Sequence, residues 1–118
     1  MCPQPAKPAV QTILAVALRD SSYGSLVESL RRAGCLVLEA HDAASALEAV
    51  RMHSRTIHLM LIDSSIESRT LAAALKRFRP RMRVLFVARD RTEETTPAVT
   101  SYDDALDRVW EILREQTR

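Results

Sequence analysis

One short apolar run constrains the fold of this chain more than any other stretch. Residues 57–62, Ile-His-Leu-Met-Leu-Ile, are apolar at five of six positions and show no period-two alternation. This pattern predicts a strand buried on both faces, as in the centre of a parallel sheet. Asp63 follows directly. Because ligands bind where the strands of an open α/β sheet end, we expect Asp63 to lie at the candidate site.

Three other apolar runs predict buried strands, and segments with helical periodicity separate them. The runs are residues 12–18, 35–40 and 83–88. Helices are predicted over 25–33 (ended by Gly34), after the cap residue Asp42, before Pro80, and over 102–116. Strands that alternate with helices through right-handed crossovers give a parallel sheet with helices on both faces. The sequence therefore predicts a three-layer, doubly wound α/β domain.

Apolar residues at helical spacing predict which side chains the last two helices bury. On the third helix they are Leu71, Ala74, Leu75 and Phe78; on the last helix they are Tyr102, Leu106, Val109, Trp110 and Leu113. We expect both stripes to pack against the sheet. Trp110 is alternatively an interface residue.

Length and composition favour one ordinary globular domain. The chain has 118 residues, a formal net charge of +2 and 47% hydrophobic residues, which suffices for a normal core. We expect a flexible, Pro-rich arm over residues 1–10 and a single domain over 11–118. The apolar runs are much shorter than the roughly 20 residues of a membrane span.

The sequence also argues against a secreted protein and against the common enzyme motifs. No signal peptide is recognisable, and Cys2 and Cys35 are too few for a disulfide framework. We therefore expect reduced thiols and a cytoplasmic location. With two glycines, Gly24 and Gly34, neither a phosphate-binding loop nor a dinucleotide fingerprint can be formed. No Ser-His-acid motif is evident, so we do not expect an enzyme.

The order of these elements resembles the receiver domain of two-component response regulators. The resemblance covers residues 12–114 and rests on the segments TILAVAL, LRRAG, CLVLEAHDAASALEAV and HLMLID. It implies a flavodoxin-like (CheY-like) five-stranded sheet of order 2-1-3-4-5. It also implies that Asp63 occupies the position of the phosphate-accepting aspartate.

The chain departs from this family at the other functional positions. Ala17 and Leu18 stand where the metal-binding acidic pair is expected, and Ala88 holds the position of the switch hydroxyl. No lysine follows Lys76. Too little chain follows Ala88 for a full fourth helix, which we expect to be missing or reduced, and residues 96–100 could form a short edge strand.

These departures imply a phosphorylation-impaired, receiver-like protein that acts by protein–protein interaction. Mg²⁺ is usually held by more than one anionic ligand, so we expect no metal and no cofactor. The expected partner is a histidine kinase or a downstream effector, and a homodimer is an alternative. An active phosphoacceptor in which Asp20 or Glu67 helps to hold Mg²⁺ remains the alternative function.

Asp63 itself has three interpretations: phosphoacceptor, salt-bridge partner or solvated strand end. The salt-bridge hypothesis has candidates, because basic residues follow the predicted strand ends. These basic residues are Arg19, Arg89 and Arg91. Together with Asp20 and Ala88 they make up the expected pocket. A guanidinium could replace the missing cation beside the carboxylate.

A basic run spans the end of the third helix and the fourth strand. It comprises Lys76, Arg77, Arg79, Arg81, Arg83, Arg89 and Arg91. These residues are split among a helix end, a turn and two strand ends, and the nearby Phe78 and Phe86 look buried. We therefore expect a solvated rim and no nucleic-acid partner.

The three histidines share no metal-ligand spacing with the cysteines. They are His41, His53 and His58.

Overall fold

The computed structural model describes residues 11–17, 24–88, 99–101 and 104–116. The elements are β1 (Thr12–Val16), α1 (Gly24–Arg32), β2 (Leu36–Ala40), α2 (Ala43–Met52), β3 (Leu59–Asp63), α3 (Ile66–Phe78), β4 (Arg83–Val87), β5 (Val99–Thr100) and α4 (Ala105–Gln116). The five strands form one parallel sheet of order β2-β1-β3-β4-β5. The predicted doubly wound α/β fold is confirmed.

The sheet lies between two helical layers because successive strand residues point to opposite faces. One core joins α1 and α4 to strand residues such as Ile13 and Leu61. The other core joins α2 and α3 to the alternate residues, such as Leu14 and Ile62. All five residues of β3 are buried, as the unbroken apolar run predicts for a central strand. No helix in the described part of the chain is both long and apolar enough to cross a membrane.

Local signals in the sequence fix two of the helix ends. Gly34 has a positive φ of 95°, and the N–H groups of Gly34 and Cys35 donate to the carbonyls of Arg31 and Leu30. This is the Schellman arrangement, and it ends α1 where the glycine predicts. Asp42 begins α2 through a reciprocal capping box with Ser45, as its position before the helix predicts.

The predicted apolar stripe of α3 is confirmed at Leu71 and Leu75, which contribute to the core, and is wrong at Ala74 and Phe78. The helix buries Ser68, Ala72 and Leu75, whereas Ala74 is exposed and Phe78 is 57% exposed. Ser68 lies in the stripe although it is polar, because its hydroxyl finds buried partners. The helix is therefore rotated relative to a pattern read from apolar residues alone.

Two element boundaries also differ from the expectation. Helix α4 is described from Ala105, whereas the predicted helix begins at residue 102, and residues 102 and 103 lie outside the described ranges. Just before the helix, the Ser101 hydroxyl accepts a hydrogen bond from the Asp104 N–H. Strand β3 begins at Leu59, although Ile57 is also buried. Strand β5, at the edge of the sheet, comprises Val99 and Thr100 of the predicted 96–100 segment.

Arg79 is not part of a solvated rim. Its guanidinium donates to the carbonyls of Val50 (2.9 and 3.0 Å) and Arg55 (2.8 Å), and also to that of His53. These carbonyls lie at the end of α2 and in the loop after it, where the backbone lacks helical partners. Arg79 thus ties the end of α3 to the end of α2.

Several predicted features lie outside the described residues. They are the arm over 1–10, Leu18, Arg19, Asp20, Tyr102, and the segment 89–98 with Arg89, Arg91 and the predicted reduced fourth helix.

Candidate functional site

The candidate site lies where β1, β3 and β4 end, at the carboxyl edge of the sheet. Asp63 is the last residue of β3 and pairs with Val87 of β4. Ala17 follows β1 and Ala88 follows β4. The register of a parallel sheet brings these strand ends together, so the fold does place Asp63 between the two positions that the sequence analysis singled out.

Asp63 is 5% exposed, so the interpretation as a solvated strand end is wrong. Its Oδ1 accepts two hydrogen bonds, from the Ser65 N–H at 2.9 Å and from the Ser68 hydroxyl at 2.6 Å. The short O–H···O distance is typical of a hydrogen bond to a charged acceptor. A carboxylate buried in this way is stabilised by the donors around it.

The donors form a short chain of hydroxyl groups. The Ser65 hydroxyl donates to the Ser68 hydroxyl at 2.9 Å and accepts from the Ser68 N–H at 3.1 Å. The Ser68 hydroxyl then donates to Asp63, and Ser68 is wholly buried. Asp63 therefore joins β3 to the first turn of α3, where Ser65 is the N-cap.

A cation that the sequence analysis did not single out also reaches this edge. Arg69 donates from Nε to the Ser64 carbonyl at 3.2 Å. Its guanidinium lies 5.1 Å from the centre of the Phe86 ring, a distance at which a cation is attracted to an aromatic face. The proposed salt bridge from Arg19, Arg89 or Arg91 to Asp63 concerns arginines outside the described residues.

The described neighbours of Asp63 supply few groups that could hold a metal ion. The methyl side chains of Ala17 and Ala88 carry no oxygen, and Leu18 and Asp20 lie outside the described residues. Glu67 is exposed in the first turn of α3. No group of three or more His, Cys, Asp or Glu residues in the described ranges is arranged to hold a metal.

The histidines and Cys35 lie in separate environments. His58 accepts the Thr12 N–H on Nδ1 at 3.0 Å, which links it to β1. His53 lines a shallow groove of about 380 Å³ beside α2, and its buried Nε2 has no hydrogen-bond partner. His41 is exposed before α2. Burial raises the pKa of the Cys35 thiol, so Cys35 is a weakly reactive packing residue.

Comparison with known proteins gives no match: no family model, curated protein or solved structure is significantly similar to this chain. The family resemblance remains a prediction that rests on the segments quoted above.

Proposed function

We propose that this protein is a receiver-like signalling module in which Asp63 is a poor phosphoacceptor. One observation carries the proposal. The carboxylate at the central strand end of a sheet of order 2-1-3-4-5 is buried and accepts hydrogen bonds from Ser65 and Ser68 on a single oxygen. In this position the carboxylate stabilises the β3–α3 connection.

The chemistry of phosphoryl transfer explains why this arrangement is unreactive. The attacking carboxylate, the phosphoryl group and the leaving group are all anionic, so catalysis depends on positive charge placed among them. Ala17 and Ala88 contribute no ligand for a cation. Two donors already occupy Oδ1 of Asp63, and their hydrogen bonds withdraw electron density from the attacking group.

A module of this kind acts through its surface rather than through a covalent switch. The partner that the resemblance favours is a histidine kinase or a downstream effector. Ile66 is 84% exposed and lies in the chain between Ser65 and Ser68, which bind Asp63, so it offers a partner an apolar contact beside the site.

The test is incubation with Mg²⁺ and acetyl phosphate, followed by intact-mass measurement. We expect the mass to stay unchanged, while a conventional receiver treated in parallel gains one phosphoryl group. Asp63→Asn is the matched variant for this experiment.

The competing function is an active phosphoacceptor with unusual Mg²⁺ ligands, Asp20 or Glu67. The place of Glu67 in the first turn of α3, at the same edge as Asp63, favours this alternative. A phosphoryl group that is acquired by the native chain, lost in Asp63→Asn and reduced in Glu67→Gln would replace our proposal with it.

A further inference from the structure

Basic side chains collect at the edge of the sheet where the strands begin, opposite Asp63. They come from the last turns of α2 and α3, from the loops that lead into β3 and β4, and from the first residue of β4. We define the basic edge as the exposed residues Arg51, Arg55, Lys76, Arg77, Arg81 and Arg83. In a parallel sheet these helix ends and loops all lie on one side of the molecule.

Contacts of Arg79 tie together two of the segments that carry the basic edge. This side chain extends from the end of α3 and donates to the carbonyls of Val50, His53 and Arg55. The loop after α2, which carries Arg55, is therefore fixed against the turn that carries Arg81. The described members of the basic run lie at the helix end, the turn and the strand start that the sequence predicts, and Arg79 adds the loop of Arg55 to them.

Among the described residues, three arginines of this surface have no acidic partner. No Asp or Glu occurs in residues 49–62 or 68–88. Within the described part of the chain, Arg51, Arg55 and Arg77 form no ion pair. Acidic residues instead occupy the opposite edge, at Asp42, Glu67, Asp104 and Asp107. These four acids therefore lie away from the basic edge and do not offset its charge locally.

An exposed aromatic ring lies within the basic edge. Phe78 is the last residue of α3, stands between Arg77 and Arg79 in the chain, and is 57% exposed. The sequence pattern disfavours a nucleic-acid partner partly because it predicts a buried Phe78, and in the structure the ring is exposed. A ring beside arginines can stack on an unpaired base while the guanidinium groups bind phosphates.

We propose that the basic edge binds single-stranded nucleic acid, with Phe78 stacked on a base and the arginines on the phosphates. Single strands are favoured over duplexes and acidic proteins because Phe78 needs an unpaired base to stack on. This inference is independent of the proposed function of Asp63, since the two surfaces lie at opposite edges of the sheet.

The experiment is fluorescence anisotropy with a labelled single-stranded oligonucleotide of mixed sequence, about ten nucleotides long. The duplex of the same sequence and labelled polyglutamate serve as competing probes. With about four phosphate contacts, affinity for the single strand should fall about 50-fold between about 50 mM and about 200 mM salt. The duplex and the polyglutamate should bind more weakly than the single strand.

Matched variants separate the contribution of charge from that of stacking. The triple variant Arg55→Ala, Arg77→Ala, Arg81→Ala should bind at least about tenfold more weakly and lose most of its salt dependence. The control has the same net charge as this triple variant, because it introduces Glu at three exposed positions on the opposite edge. Its substitutions are Ala43→Glu, Ala44→Glu and Ile66→Glu. This control should keep its affinity.

Removing the aromatic ring tests the stacking directly. Phe78→Ala should weaken binding about tenfold. Ile66→Ala, which removes an even more exposed apolar side chain from the other edge, should not. Both positions are exposed, so both variants should fold. Absence of binding at about 50 mM salt, equal binding of the duplex or polyglutamate, or an unchanged affinity of Phe78→Ala would each overturn the proposal.

Discussion

Replacing Ser68 with alanine removes the shortest hydrogen bond to Asp63. The Ser68 hydroxyl is wholly buried and lies 2.6 Å from the carboxylate. Hydrogen bonds to charged groups contribute about 1.5–3 kcal/mol, and an unsatisfied buried acceptor costs a similar amount. Ser65 still donates its N–H to Asp63 in the variant, so we take a value near the middle of this range. The free energy of unfolding should fall by about 2 kcal/mol.

The single tryptophan makes this change measurable. Trp110 packs partly buried against the core from α4, so its fluorescence should report urea unfolding. For a domain of this size, about 2 kcal/mol corresponds to a fall in melting temperature of about 8 °C. Thr70→Ala is the control: its hydroxyl is on the same helix but is exposed and bonds the Ile66 carbonyl, so the loss should be within about 0.5 kcal/mol.

A double-mutant cycle measures how much of this loss comes from the hydrogen bond between Ser68 and Asp63. Ser68→Ala and Asp63→Asn should each destabilise the fold, and the double variant should lose about 1–2 kcal/mol less than the sum of the two. A Ser68→Ala variant as stable as the native chain, or additive effects in the cycle, would refute the view that this hydrogen bond holds the β3–α3 connection.

Three further predictions test the rest of the fold. Arg79→Ala should lower the free energy of unfolding in urea by about 2 kcal/mol, because three carbonyls lose their donor. Arg79→Lys should recover only part of this loss, because an ammonium group lacks the planar fork of a guanidinium. A loss no larger than that of the neighbouring Arg77→Ala would contradict this prediction. Gly34→Ala should lower the free energy of unfolding by about 1 kcal/mol through backbone strain alone, because φ is 95° and no atom lies within 4 Å of the added Cβ. A much larger loss would indicate a steric clash and contradict this prediction. The Ser45 N–H donates to Asp42 and lowers the pKa of that carboxyl below its ordinary value, so the cap stabilises the fold above about pH 4 and weakens as the pH falls further. Asp42→Ser keeps the cap without the titration, so the acid limb of a melting-temperature profile should flatten, and an unchanged limb would contradict the assignment.

The sequence was informative where one residue type meets one physical requirement. The unbroken apolar run before Asp63 predicted the central strand, since such a run can be covered only from both faces. Gly34 and Asp42 predicted helix ends because each has a conformation or an acceptor that the end requires. The place of Asp63 at the end of a central strand follows from the apolar run, whereas the strand order, which the structure confirms, is implied by the family resemblance.

Other features had no signal that a single sequence carries. Ser68 looks like an ordinary polar helix residue, and its burial depends on a partner supplied by β3. Because Ser68 lies in the buried stripe of α3, Phe78 points outward, and the prediction that Phe78 is buried is wrong. The sequence gives no sign of the role of Arg79, because the carbonyls that it binds lie at the end of α2 and in the loop after it, 24 to 29 residues earlier. Contacts of this kind depend on tertiary structure rather than on spacing.

The most direct test of the account follows the backbone amide of Ser65 by NMR during Mg²⁺ titration and then after addition of acetyl phosphate. That amide donates to Asp63 Oδ1, so it reports any change at the carboxylate. Our account predicts that its chemical shift stays constant through both additions. A saturable shift with Mg²⁺, followed by a second shift with the phosphodonor, would show a working phosphorylation site and contradict it.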